Sequence, residues 1–240
     1  MRRFVQAFSA GEGFPTDFPP ALRESLGAAP DRYNIAVRKA ASVIVLEEDG
    51  PVAKELQWGL IPRWSKTAET PYTTVTARLE RAAKSRLFKQ AWETRHCVVP
   101  LNGYYKWDRT VKPAVPYFIQ SGDGRMLMVA GLWECWEKGE TPLCSFSVLT
   151  HANAAIPPPL VADGPVFLPP DRWRRWLNPD RWFPRHFLLN SAQPTLEAYP
   201  VSRAIRDPQR DDYTLLEPVE STAWEEQLAE DEDDFDDEDS

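Results

Sequence analysis

Long hydrophobic runs are missing from this 240-residue chain, which removes helical membrane spans from consideration. The longest candidate, Met126 to Trp133, is interrupted by Gly131 and falls far short of the ~20 apolar residues a spanning helix requires. A soluble, cytoplasmic protein is expected. Met1-Arg2-Arg3-Phe4 has the look of a twin-arginine export signal, but the Gly/Pro-rich stretch from Ser9 to Pro20 supplies no apolar core behind it. Cysteine is scarce: Cys97, Cys135 and Cys144 are odd in number and lack CxxC spacing, so neither a disulfide framework nor a zinc ribbon is expected. Histidine is equally sparse. His96, His151 and His186 lie far apart with no carboxylate at ligand spacing, which argues against a metal site. GxGxxG, GxxxxGK[ST], HExxH and GxSxG are all absent, so nucleotide-fold and zinc-protease chemistry drop out and no cofactor is expected.

What remains is a chain that is 42% hydrophobic and 27% charged, enough to bury a sizeable core. Its net charge of −8 averages two unlike parts. Thirteen acidic residues and no Lys or Arg fall in residues 217–240, leaving 28 basic against 23 acidic residues in 1–216. A basic body with an acidic tail suits a nucleic-acid binder that carries its own competitor; the plain alternative is that Glu225 to Ser240 is a solvated segment that aids solubility.

Val43 to Glu47 and Leu56 to Ile61 read as a hairpin around Glu48-Asp49-Gly50-Pro51. Thr76 to Trp92 reads as a helix, with Leu79, Ala82, Ala83, Leu87, Ala91 and Trp92 near one face. Cys97 to Pro100, Gly103 to Trp107, Tyr117 to Gln120, Met126 to Trp133 and Ser145 to Thr150 read as strands. A short helix, Asp171 to Leu177, follows Pro169-Pro170. The expectation is an α+β fold: a single domain over residues 1–219, mainly antiparallel and barrel-like with a few short helices, then an acidic tail over 220–240. Ten tryptophans, several beside basic residues, suit a surface where bases stack and phosphates are neutralised. Trp173 and Trp176 are expected instead to pack their helix on the core.

Eleven segments fall in an order and spacing that resembles one family. They are Arg3-Phe4-Val5-Gln6, Tyr33-Asn34-Ile35-Ala36, Trp58-Gly59-Leu60-Ile61-Pro62-Arg63-Trp64, Ala77-Arg78-Leu79-Glu80, Phe88-Lys89, Cys97-Val98-Val99-Pro100, Gly103-Tyr104-Tyr105-Lys106-Trp107, Pro116-Tyr117-Phe118-Ile119, Ala130-Gly131-Leu132-Trp133, Pro165-Val166-Phe167-Leu168 and Tyr199-Pro200-Val201-Ser202. The chain resembles the SRAP, or SOS response-associated peptidase, family. The resemblance implies binding of single-stranded or junction DNA. It also implies attack on the ring-opened aldehyde of an abasic site by a cysteine exposed on removal of the initiator Met, with thiol and α-amine closing a thiazolidine crosslink.

The four positions that carry this chemistry are all replaced. Arg2 stands where the family has Cys, Thr76 where it has Asn, Lys106 where it has Glu and Val161 where it has His. A catalytically degenerate protein is expected, in which Arg2 keeps Met1 in place and no self-processing occurs. By the same resemblance, Arg3, Asn34, Trp58, Trp64, Arg78, Phe88, Lys89 and Trp107 form the DNA-binding set, with core packing the competing role for Trp58 and Trp107. Two further readings stay open. Lys106 or the Met1 amine forms a Schiff base with the aldehyde, or Glu225 to Ser240 recruits a basic protein or folds back over the Arg3/Arg78 groove.

Overall fold

The computed structural model describes residues 1–11, 13–69, 74–179, 185–189 and 192–219. Its strands are β1 (Arg3–Gln6), β2 (Arg32–Ala36), β3 (Ala40–Glu47), β4 (Gly50–Trp58), β5 (Thr76–Arg78), β6 (His96–Leu101), β7 (Gly103–Asp108), β8 (Val115–Ser121), β9 (Leu127–Trp136), β10 (Leu143–Ala152), β11 (Asp163–Pro165) and β12 (Leu196–Pro200). Helices are short: α1 (Pro20–Ala28), α2 (Leu79–Ala82), α3 (Lys89–Thr94), α4 (Trp173–Leu177) and α5 (Arg185–Leu189), with 3-10 turns at Arg203–Arg206 and Tyr213–Leu216.

One sheet runs β12-β8-β7-β1-β2. The other runs β11-β10-β4-β3-β6-β9, and pairing of β9 back onto β10 closes it into a small barrel. All pairings are antiparallel except those of β10 with β4 and with β5. Alternation sorts the side chains into layers. Phe4, Ile35, Tyr104 and Ile119 of the first sheet meet Val43, Trp58, Val99, Phe146 and Val148 of the barrel in one core. Ile44, Val98, Ala130 and Leu149 point the other way, under α1 to α4. Val5, Tyr105 and Phe118 pack beneath Ile205 and Leu215 of the 3-10 turns. β6 is buried at every position, as a strand covered on both faces must be.

Three expectations need correction. The Thr76 to Trp92 helix is three pieces: Thr76 to Arg78 is β5, drawn into extended form by parallel pairing with Val148, Leu149 and Thr150, and a turn at Lys84 and Ser85 separates α2 from α3. The hairpin turn is shorter, because β4 begins at Gly50, held at φ +124°, and Pro51 already pairs with Leu46. Cys135 and Cys144, in a chain where no disulfide framework is expected, form a disulfide. The β9/β10 register sets them directly opposite one another, a juxtaposition that nine residues of separation conceal in sequence. Cys97 is free and fully buried, and burial pushes its thiol far up from the ordinary range. Thiol titration should therefore count none in the native protein, one after denaturation without reductant and three after reduction.

Trp173 and Trp176 pack as expected. Both are fully buried, with Trp176 Nε1 donating to Cys97 O and Trp173 Nε1 to Asp17 Oδ2. No helix among the described residues is long and apolar enough to cross a membrane. The tail, 220–240, lies outside the described residues.

Candidate nucleic-acid interface

Two of the four replaced positions, Lys106 and Thr76, lie on strands β7 and β5, which both send a cation to Asp163. Lys106 shares a face of β7 with the buried Tyr104 and so leans toward β11, where its Nζ donates to Asp163 O at 2.5 Å. Asp163 Oδ1 also lies 2.9 Å from Arg78 Nη1, at the end of β5. One carboxylate-bearing residue thus serves two cations from different strands. Thr76 lies two residues before Arg78 and so on the same face of β5, half-buried. Met1 packs on the same core. Burial first, then the charge of Lys106, pull its α-amine down to about 6, with Asp163 opposing and Arg2 adding to the effect. Burial also lowers the Lys106 ammonium below its ordinary range, against the attraction of Asp163. An amine held near 6 is largely unprotonated at neutral pH, the form in which amines attack carbonyls.

β10 and β11 contribute further polar groups. His151 pairs in register with Gly164, and neither its Nε2 nor the Tyr104 hydroxyl finds a hydrogen-bond partner among the described residues. A Cβ on Gly164 would lie 3.5 Å from that hydroxyl and 2.4 Å from Ile156 Cδ1, so glycine lets β11 close on the core. Burial holds His151 below its ordinary value, with Glu80 and Asp163 opposing. Val161, 69% exposed, stands on the loop leading into β11.

A second cationic feature lies around Trp64. Its ring is 39% exposed and carries the Arg86 guanidinium 4.7 Å from its centroid, while Nε1 donates to Arg86 O. Lys138 Nζ donates to Trp64 O. Sequence reading missed Arg86 and Lys138. Arg86 was hidden inside an apparently unbroken helix, although its place two residues before Phe88-Lys89 is a usable signal.

Other expected DNA contacts are spent on the fold. Trp58 is fully buried, edge-on to Phe4 at 4.8 Å, with Nε1 donating to Val75 O; it is a core residue and no platform for a base. Asn34, 6% exposed, accepts from Arg3 Nη1 and donates to Asp207 O and Arg210 O. Arg3 also donates to Arg206 O, so this pair ties β1 and β2 to the C-terminal segment. Phe88 is buried beneath the helices. Trp107, on the opposite face of β7 from Lys106, is half-buried against the 3-10 turns. Lys89 is exposed, 3.8 Å from Glu93. Of the set, Arg78, Trp64 and Lys89 keep exposed, chemically suitable groups; Arg2, next to Met1 in sequence, is exposed as well.

The family model for SRAP, SOS response associated peptidase, matches residues 3–208. The chain belongs to the SRAP family. The abasic site processing protein YoqW of Bacillus subtilis is 28% identical over 191 residues, covering 77% of this chain and 85% of its own. The abasic site processing protein YedK of Escherichia coli is 23% identical over 193 residues, with 78% and 85% covered. Among solved structures, a Bacteroides thetaiotaomicron protein superposes with TM-score 0.71 at 18% identity, covering 91% of this SRAP chain and 99% of its own. A phage-related protein of Bordetella bronchiseptica gives TM-score 0.63 at 23% identity, with 85% and 95% covered. The barrel, its partner sheet and the short helices are thus the SRAP fold.

Proposed function

We propose that this SRAP protein binds single-stranded or gapped DNA in the setting of DNA damage without forming the thiazolidine crosslink. The observation that carries the reading is the fate of its thiols: Cys97 is sealed in the core and Cys135 is bonded to Cys144, while Met1 and Arg2 occupy the place where the family resemblance expects the nucleophile. DNA binding draws support from the exposed Arg78, Arg2 and the Trp64–Arg86 stack, and from relatives whose names describe processing of abasic sites. Each phosphate contact or stacked base contributes about 1–3 kcal/mol, so a handful of such groups sustains binding without chemistry.

One observation favours a second reading. The Met1 amine and Lys106 sit together with both ammonium groups destabilised, an arrangement suited to imine formation with an aldehyde. A single experiment separates the two. The protein is incubated with a single-stranded oligonucleotide bearing one abasic site, with and without borohydride, and resolved on denaturing and native gels. The first reading expects a native-gel shift and no covalent band in any denaturing lane. A band only after borohydride, lost in Lys106→Ala or mapped to the Met1 peptide, establishes the imine-forming reading in its place. A band stable without borohydride overturns both.

A further inference from the structure

We infer that residues 220–240 act as a polyanion within the same molecule, docking on the Arg2–Arg78–Lys106 face and competing there with DNA. The inference rests on the DNA-binding reading for the identity of the competitor, and on the register of the first sheet for its geometry.

The end of the described chain is held at a defined place. Pro218 bridges to Val201, and Val219 N donates to Pro200 O. Pro200 is opposite Tyr117 on β8, and Tyr117 is opposite Lys106 on β7. The tail therefore departs on the same cross-strand line as Lys106, three strand spacings away, or about 14 Å. At coil dimensions 21 residues span about 25 Å, and fully extended about 70 Å, so the face is well within reach. Tethering at this range corresponds to a local concentration on the millimolar scale, at which weak charge pairing suffices for occupancy.

The chemistry matches on both sides. Twelve of the 21 residues are Asp or Glu, none is basic, and Trp224 and Phe235 are interspersed among them. Carboxylates in place of phosphates and aromatic rings in place of bases offer a cationic, single-strand-binding face the same two kinds of contact as DNA. On the receiving side, Arg78 is 56% exposed and pairs with the Asp163 carboxylate, while Lys106 Nζ donates to the Asp163 backbone carbonyl. With Arg2 added, cations outnumber that carboxylate.

The test uses the full chain beside a variant of equal length in which all twelve tail carboxylates become amides, Asp→Asn and Glu→Gln. Affinity for a labelled single-stranded oligonucleotide is measured at 50 and 200 mM salt, and carbodiimide crosslinks are mapped by mass spectrometry. The expected result is at least tenfold tighter binding by the amide variant at 50 mM, a smaller gap at 200 mM, and crosslinks in the unmodified protein from tail carboxylates to Lys106 or the Met1 amine. Affinities within twofold, or crosslinks only to lysines elsewhere, overturn the inference. A few-fold effect without the Lys106 or Met1 crosslink also overturns it, since diffuse repulsion accounts for that much. If neither protein binds DNA, the proposed function fails, while the crosslink map still decides whether the tail docks. Tail crosslinks running to an added basic protein instead would assign the tail to a partner.

Discussion

Arg78→Glu is expected to weaken binding of single-stranded DNA about 30-fold at low salt while leaving the fold intact. Arg78 is more than half exposed, and its ion pair with Asp163 is correspondingly screened, so its removal costs the folded state under about 1 kcal/mol. The binding loss is larger. A charge-assisted contact to phosphate contributes about 1–2 kcal/mol, and reversing the sign adds repulsion from a new carboxylate beside Asp163, for about 2 kcal/mol in all. The dependence of log affinity on log salt should flatten by about one phosphate's worth. Asp163→Asn should act in the opposite direction, because Arg78 loses its carboxylate partner and Lys106 the nearby negative charge, and binding should tighten several-fold. Fluorescence anisotropy at several salt concentrations reads both. Equal affinity for Arg78→Glu and the unmodified protein would remove this face from the DNA site and direct attention to Trp64 and Arg86.

Gly103→Ala is expected to lower the melting temperature by about 6–12 °C. Gly103 lies in β7, opposite Val5 of β1 on one side and Gln120 of β8 on the other. A Cβ there would come 2.3 Å from Phe118 Cζ and 2.5 Å from Ile119 O. Phe118 is 1% exposed and pinned between Tyr105 and Tyr199, and the carbonyl is part of the sheet, so neither yields cheaply. Overpacking of this kind costs about 3 kcal/mol, and each kcal/mol moves the midpoint by roughly 2–4 °C in a domain of this size. Gly27→Ala serves as the contrast. It sits in α1 with its nearest neighbour, Phe8 O, at an ordinary 3.7 Å, so alanine should stabilise by about 0.5–1 kcal/mol. Thermal melts followed by circular dichroism decide both, and a Gly103→Ala protein melting within 2 °C of the original would contradict the packing described here.

The sequence made the centre of the fold legible and its periphery obscure. β6 to β10 are apolar, β-branched runs between turn residues, and each appears within a few residues of its expected place. β5 runs straight into the helical spacing that begins at Leu79 and so reads as its first turn; only the parallel neighbour β10, some seventy residues later, makes Thr76 to Arg78 extended. Pro51 concealed the start of β4, since proline argues against a strand interior, yet here it pairs at the very turn of the hairpin. At the candidate site the family resemblance located Lys106, Arg78 and Trp64, because a motif preserves position. It could not tell a buried aromatic from a presented one, so Trp58 and Phe88 were assigned to DNA. Nor could it foresee that Asp163 would be shared by Lys106 and Arg78, or that Arg3 would be spent on Asn34, because those contacts join segments 57 to 85 and 31 residues apart.

The position of β1 bears on how this chain is made. It precedes the other described strands in the chain, yet it lies between β2 and β7, and its partners Tyr104 and Gly103 follow about a hundred residues later. At the ~5–20 residues per second of translation, Phe4 and Val5 wait about 5–20 s for the strand that buries them. A β1–β2 ribbon alone is marginal in water, so the nascent chain carries an open, apolar strand edge throughout that interval. The strand that sets Met1 beside Lys106 is thus made about a hundred residues before the partner that buries it, and this end of the molecule is where chaperone dependence and aggregation during expression should concentrate.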